Sequence, residues 1–467
     1  MITTRMHFVI KLICLGLLVA LVNSAAKAQV KRPPNVIIIL ADDLGYGDLS
    51  CYGHPTIRTP NLDKMAEEGT RFTQFYVAAN VCTPSRAALL TGRLPIRSGI
   101  YGQRVVFFTN SANGLPQTEI TVAEALKTKG YQTALVGKWH LGSQPEHLPL
   151  RHGFDYYFGL PYSNDMGRVG AVPNGVNQNP PLPLYRNDQV IETEPDQRLL
   201  TKRYTSEAVN FIKTNKAKPF FLYYASPFPH VPLYASSDFA GKSKRGLYGD
   251  VVEELDWSVG QLLTTLRQQK LDKNTLVIFL SDNGPWQMKA LAPGTGGSAG
   301  PLYEAKGSTY EGGMRVPAIA WGPGLVQPKT VSSAIATSMD LYPTILALAN
   351  AQLPTDRPID GSDIRDLLSG KKALGTNIVY FYDSNRLQAI RKGPWKAHFI
   401  THPSYSPDAP IPHDPPLLYN VEADPSEKFN VSNNHPDVLD DLKKEYEKHK
   451  AGVTPVPPLL DAIIPAK

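Results

Sequence analysis

Cysteine is scarce in this chain, with three in 467 residues. Cys14 lies in the first 28 residues, which read as a removable secretory leader. Arg5 and Lys11 carry positive charge, LICLGLLVALV is an apolar core too short to span a bilayer, and Ala26-Lys27-Ala28 is an A-x-A cleavage site. The mature chain, expected to start at Gln29, then keeps only Cys51 and Cys82. It does not rely on disulfides, although a Cys51–Cys82 bridge stays formally open. Long apolar runs are missing beyond the leader, which leaves no membrane span once it is removed. A charge excess is missing too. The formal +6 falls to +3 when Arg5, Lys11 and Lys27 leave with the leader, too little to point to nucleic acid or a membrane surface. A locally basic cleft for an anion remains open. Internal repeats are absent, and one N-x-S/T sequon, Asn430-Val431-Ser432, argues against heavy glycosylation. An exported protein with these features is expected in a bacterial periplasm or outside the cell.

What is present is a core. Hydrophobic residues make up 42% of the chain, enough to fill one large domain and a smaller one. NVIIIL (Asn35–Leu40), YQTALVG (Tyr131–Gly137), KPFFLYYAS (Lys218–Ser226) and NTLVIFLSDNG (Asn274–Gly284) read as strands buried on both faces. TPNLDKMAEEG reads as a helix with Thr59 as cap, Pro60 at the first position and Gly69 as stop. TVAEALKTKG, RYTSEAVNFIKTN and VVEELDWSVGQLLTTLRQQ carry helical spacing. Alternation of this kind predicts an α/β fold with a mostly parallel sheet flanked by helices. After about Leu353 the texture changes. TDRPIDG reads as a linker, NIVYFYDSNRLQAIRKGPWKAHFI as hairpin strands turning at Asp383–Asn385, Pro403 to Pro416 as a loop, and HPDVLDDLKKEYEKHK as a terminal helix. The expected division is a leader 1–28, a main domain 29–353, and a C-terminal subdomain 354–467 with an antiparallel sheet.

Ligands of open parallel sheets bind beyond the carboxyl ends of the strands. The four apolar runs end in Asp42-Asp43, in Lys138-Trp139-His140, in Pro229-His230 and in Asp282-Asn283. Each alone has an ordinary reading, as a cap or a core histidine; four at one edge converge on a site. Asp42, Asp43, Asp282 and Asn283 form an oxygen set suited to a hard divalent cation, calcium first and magnesium second. Without a cation the crowded carboxylates would titrate upward. Zinc lacks its usual His-x-x-x-His or Cys-x-x-Cys spacing. In VCTPSRAALLTGR, Thr83-Pro84 starts a helix whose free amides favour an anion, and Arg86 one turn on presents a fork of donors suited to phosphate or sulfate. A small buried thiol before an ordinary helix accounts for Cys82 equally well at this point.

CTPSRAALLTGR resembles the signature of the type I sulfatases, members of the alkaline-phosphatase-like superfamily. NVIIILADDLGYGDLSCYGHP, GKWHLG, SDNGP and EAKGSTYEGGMRVPAIAWGPG are similar to that family's other motifs, in its order, over nearly the whole mature chain. The branch most resembled is that of arylsulfatase A and N-acetylgalactosamine-6-sulfatase. The resemblance implies that a formylglycine-generating enzyme oxidises Cys82 to Cα-formylglycine (3-oxoalanine), whose hydrate is the nucleophile. It implies that Asp42, Asp43, Asp282, Asn283 and residue 82 bind Ca²⁺, and that a covalent sulfo-enzyme intermediate forms. Arg86 and Lys138 are then expected to steady the diol, and His140 to deprotonate it. His230 and Lys306 are expected to grip the sulfate and protonate the leaving alcohol.

The expected substrate is a sulfated polysaccharide or oligosaccharide, with Arg104, Tyr162, Asn164, Arg168, Arg245 and His398 as candidates for a sugar subsite. Other readings are a phosphodiesterase or phosphonate hydrolase of the same superfamily and a non-catalytic polysaccharide-binding relative. Phosphatases of that superfamily often carry a second metal set, which does not assemble here. A binding protein would need none of the nucleophile chemistry. His54, Glu311, Gly312 and Gly313 are read as structural.

Overall fold

The computed structural model describes residues 32–168, 179–287, 296–371 and 377–465. The leader and the expected start at Gln29 lie outside the described residues.

Strand β1 (Asn35–Ala41) shows why an unbroken apolar run is needed. Val36, Ile38 and Leu40 enter one hydrophobic core, and Ile37, Ile39 and Ala41 enter another on the opposite face. A strand alternates its side chains, so burial on both faces calls for apolar residues at consecutive positions. The remaining strands of this sheet are β2 (Thr70–Tyr76), β3 (Gln132–Gly137), β4 (Tyr156–Gly159), β5 (Pro183–Arg186), β6 (Gln189–Thr193), β7 (Phe220–Ala225), β8 (Thr275–Ser281), β9 (Arg315–Trp321), β10 (Thr330–Ser332) and β11 (Ala336–Thr337). Their order is β10-β2-β9-β8-β1-β7-β3-β4-β5-β6, with β11 beside β2. The centre, from β8 through β4, is parallel, while β9, β5 and β6 run antiparallel to their neighbours.

Helices cover both faces. Leu62 and Met65 of Pro60–Glu67 join Leu200–Thr214 and Leu247–Gln268 in one core. Cys82–Thr91, Val122–Lys127 and Leu341–Leu348 pack in the other. Val122–Lys127 opens with a capping box, Thr121 accepting from the Glu124 amide and Glu124 accepting from the Thr121 amide.

The C-terminal sheet consists of β12 (Ile378–Asp383), β13 (Arg386–Lys392), β14 (Trp395–Thr401) and β15 (Ile411–Asn420), all antiparallel, with helix Pro436–Gly452 packed on it through Leu439, Leu442 and Tyr446. Here the sequence reading needs correction. Pro403 to Pro416 is not all loop, because Ile411–Pro416 belongs to β15. Proline removes a ladder donor, and β15 tolerates three because it is an edge strand with a register shift opposite His398–Ile400. Residues Pro34–Lys467 cluster as one unit.

Candidate active site

The register levels four strand ends. Leu40 lies beside Ala225, Ala41 beside Ser281 and Gly137 beside Ala225, so the residues that follow all leave at one edge. Gly137 has φ 120°, and a Cβ there would stand 1.8 Å from Ala225 O. Only glycine allows the chain to turn here and deliver Lys138. Asp43 and His140 are themselves left-handed, at φ 63° and 61°. Such positions are uncommon for residues other than glycine and occur where a site imposes them.

Cys82 is the first residue of helix Cys82–Thr91, one position earlier than Thr83-Pro84, and extended Val81 is its N-cap. No side chain caps this end. The Thr83 hydroxyl instead donates to His140 O at 2.9 Å, tying the helix start to the loop after β3.

All ten residues expected at the site are buried in one cluster. Single ligand atoms of Asp42, Asp43, Cys82 and Asp282 lie within 4.8 Å of one another. Cys82 Sγ is 3.5 Å from Asp42 Oδ1, 3.9 Å from Asp43 Oδ1 and 3.2 Å from Lys306 Nζ. Lys138 donates to Asp42 at 2.6 Å and to Ser163 Oγ at 3.2 Å. Arg86 donates through Nε to Asp282 at 2.9 Å, and its Nη1 donates to Lys138 O at 3.0 Å. Lys306 donates to Asp43 at 2.8 Å, and His230 Nε2 lies 3.5 Å from the same carboxylate.

Burial alone would raise the Asp42 carboxyl, but Lys138, Arg86, His230 and Lys306 hold it well below the usual range. Asp282 moves upward through burial and the neighbouring Asp42. Burial would lower Lys306, yet the Asp43 carboxylate holds it well above its ordinary value, so it is an ammonium. The Cys82 thiol is pushed up by burial, so as encoded it is no thiolate nucleophile. His140 is pushed well down, first by burial and then by Lys138 and Arg86, and is neutral. Its Nε2 lies 2.9 Å from Phe107 O. A carbonyl only accepts, so Nε2 carries the proton. Nδ1, buried and without a hydrogen-bond partner, is the free base.

The donor chemistry fits a hard cation. Three carboxylates face one point, and Asn283 donates through Nδ2 to Asp43 at 2.7 Å, leaving buried Oδ1 without a hydrogen-bond partner. A buried oxygen of that kind is expected to have a partner, and a cation among these carboxylates would provide one.

Several neighbours had no signal in the sequence. Ser163 meets Lys138 from the loop after β4. Trp286 stands 5.2 Å from the His230 ring, 4.5 Å from Lys306 Nζ and 5.3 Å from the Tyr405 ring. The Ser404 hydroxyl donates to Lys306 O. Apolar runs and helical periods say nothing about such loop-to-loop meetings.

The sugar-subsite candidates scatter. His398 is fully buried with Nε2 2.6 Å from Glu427 Oε1, and Asn164 donates to Gln197 and Pro232 O, so neither lines a surface. Tyr162 is also buried. Arg104 donates to Asn110 and lies over Phe108, Arg245 donates to Gly296 O, and Arg168 is exposed. His54 Nδ1 accepts from the amides of Thr56 and Ile57.

The family model described as Sulfatase matches residues 34–351, and that of the C-terminal region of aryl-sulfatase matches 375–466. Arylsulfatase A of Homo sapiens is 44% identical over 454 residues, covering 90% of this chain and 88% of its own. N-acetylgalactosamine-6-sulfatase of Sus scrofa is 39% identical over 503 residues, covering 99% and 93%. The crystal structure of the PsFucS1 sulfatase from Pseudoalteromonas sp. matches with a TM-score of 0.81 at 30% identity, over 91% of each chain. With its motifs gathered at one sheet edge and both halves matched, the chain belongs to the sulfatase family and is a sulfatase of alkaline-phosphatase-like fold.

Proposed function

We propose that this sulfatase removes sulfate from a sulfated carbohydrate, that Cys82 works after oxidation to formylglycine by a dedicated generating enzyme, and that calcium is its resident ion. The observation that carries the reading is the meeting of Asp42, Asp43, Cys82 and Asp282 under Lys138, Lys306 and His230. The name of the pig relative supports a sugar substrate. A hydrated formylglycine supplies an oxygen nucleophile, and calcium a Lewis acid for the sulfate. Asp42, Asp43, Asp282 and the Asn283 oxygen would hold the ion, beside residue 82.

The chain's own residues divide the remaining work. Arg86, fixed by Asp282 and Lys138 O, and Lys138, fixed by Asp42, place two buried positive charges beside residue 82 and oppose negative charge developing there. His140 is held by Phe107 O so that Nδ1 accepts a proton. His230 Nδ1 lies 2.5 Å from Val231 O and carries its proton there, leaving Nε2 towards Asp43. The Lys306 ammonium grips sulfate oxygens, and His230 joins it once Nε2 carries a second proton, which it then gives to the departing alcohol.

Export to a periplasm or the cell exterior belongs to the same reading. No helix among the described residues is long and apolar enough to cross a membrane. We place the catalytic part at 29–353 and the C-terminal subdomain at 354–467. The test is expression with a formylglycine-generating enzyme, followed by mass spectrometry of the residue 82 peptide and turnover of aryl sulfate against aryl phosphate. Formylglycine, sulfate preference and an inert Cys82→Ala variant are expected. Full activity of Cys82→Ala would reject the nucleophile.

A further inference from the structure

A cleft of about 600 Å³ opens beside the site, between the Tyr101–Gln103 loop and the turn joining β12 to β13. Asn80 and Val81, just before Cys82, and Gly307, just after Lys306, line it. A sulfate held at residue 82 therefore has its alcohol directed along this cleft or past its mouth. That volume lies in the range of small-molecule sites and is far more than a sulfate fills.

The cleft wall is polar and organised in advance. Asp383 Oδ2 accepts from Gln388 Nε2 at 3.0 Å, and Gln388 Oε1 in turn accepts from Thr309 Oγ1 at 2.7 Å. Among the described residues, Asp383 Oδ1 has only a long bond, 3.4 Å from Asn80 Nδ2. His402 Nδ1 stands 3.8 Å from Oδ2, and the Asp383 side chain is 17% exposed. A carboxylate oxygen accepts two hydrogen bonds, so Oδ1 keeps spare acceptor capacity at a position its neighbours fix. Arg386, which opens β13 and pairs with Asp383 across the turn, is exposed and lines the cleft. A fixed acceptor beside an arginine fork is what vicinal hydroxyls of a sugar satisfy, each donating to one and accepting from the other. A phenyl ring offers neither, and would leave Asp383 covered and short of partners.

We infer that this cleft is the subsite for a hydroxylated sugar residue of the sulfated substrate, and that Asp383 and Arg386 are its specificity-determining residues. The inference rests on the carbohydrate reading above and narrows it. The enzyme selects a saccharide that offers neighbouring free hydroxyls next to the sulfate, over an aryl sulfate whose ring pairs with neither residue.

The experiment uses formylglycine-bearing full-length protein, 4-nitrophenyl sulfate, and oligosaccharides cut from carrageenan, fucoidan, chondroitin sulfate and heparin. In the wild type at least one oligosaccharide is expected to exceed the aryl sulfate in kcat/KM by tenfold. For that saccharide, Asp383→Asn and Arg386→Ala lower the ratio of the two kcat/KM values at least tenfold, chiefly through KM, and Arg386→Lys recovers part of it. A ratio within twofold of wild type in both variants overturns the inference, as does a wild type that prefers the aryl sulfate to every saccharide. Protein inert towards both substrate types rejects the proposed chemistry, and this inference with it.

Discussion

His152 sits behind Trp139, its ring 5.5 Å from the indole, with both ring nitrogens buried and without hydrogen-bond partners. Burial, helped by His147, lowers its pKa to about 4. The unfolded chain protonates it near the ordinary 6.5, so acid favours unfolding. The contribution to stability is complete above pH 6.5, declines as the pH falls towards about 4, and is constant below. One such group changes stability by about 1.4 kcal/mol per pH unit across the window, or about 3 kcal/mol in all. His152→Phe should flatten the pH dependence of urea midpoints between 6.5 and 4 by that amount, and an unchanged slope would show that the ring is not neutral in the fold. Asn283 carries a second expectation at this scale. If its unpartnered Oδ1 serves a cation, calcium at 100 times its dissociation constant stabilises the wild type by about 2.7 kcal/mol. Asn283→Ala should then need at least tenfold more calcium for the same rise in melting temperature. Equal calcium curves would remove Asn283 from the ion.

Elements differ in how plainly the sequence announced them. β1, β3, β7 and β8 were legible because burial on both faces demands unbroken apolar runs, and the rule that sites lie beyond strand ends then collected seven of the ten candidate residues, with Cys82 and Arg86 read from a helix start. Lys306 was the exception. Its loop is fixed by distant partners, the Lys306 amide on Pro285 O at 3.1 Å and the Gly307 amide on Asn80 O at 2.9 Å, which no local pattern reveals. β4, β5 and β6 are short and lie towards one edge, and β15 was hidden by its prolines. Equally silent was the end of the chain. Residues 456–464 strap the 96–113 segment: the Leu459 amide donates to Gly99 O at 2.8 Å, the Ala112 amide to Ala462 O at 3.0 Å, and the Arg104 amide to Asp461 at 2.8 Å. That segment carries Phe107, whose carbonyl fixes the proton of His140 and whose amide donates to Thr83 Oγ1 at 3.3 Å. Deleting residues 455–467 should therefore lower kcat on the order of 10- to 100-fold, as loss of orientation does, and displace the basic-group limb of the pH–rate profile. A shortened chain with wild-type kcat would mean that the loop holds itself.

Across the whole molecule, the two sheets meet through charge as well as through apolar packing. Glu311 follows Lys306 by five residues and is fully buried. Burial would raise its carboxyl, but Lys396, Arg391 and Arg315 hold it down, so it is ionised. It accepts from Tyr76 of β2 at 2.5 Å, lies 3.3 Å from Arg315 of β9, and is 3.0 Å from Lys396 of β14. Lys396, also fully buried, adds Glu427 at 3.1 Å and donates to Thr309 O at 2.9 Å. The reading of Glu311 as structural did not extend to this bridging role, because its partners are 235 residues upstream and 85 downstream. Breaking a buried pair from one side leaves a charge without compensation and costs about 3–5 kcal/mol, whereas removing both sides costs much less. Lys396→Met should therefore lower stability by about 3 kcal/mol, the lower end, since Arg315 and Arg391 still face Glu311. Adding Glu311→Gln to it should cost less than the sum of the two single changes, because the second substitution removes the charge that the first stranded. Denaturation midpoints of the four proteins close the cycle. Strict additivity would mean that Glu311 and Lys396 do not support one another across the two sheets.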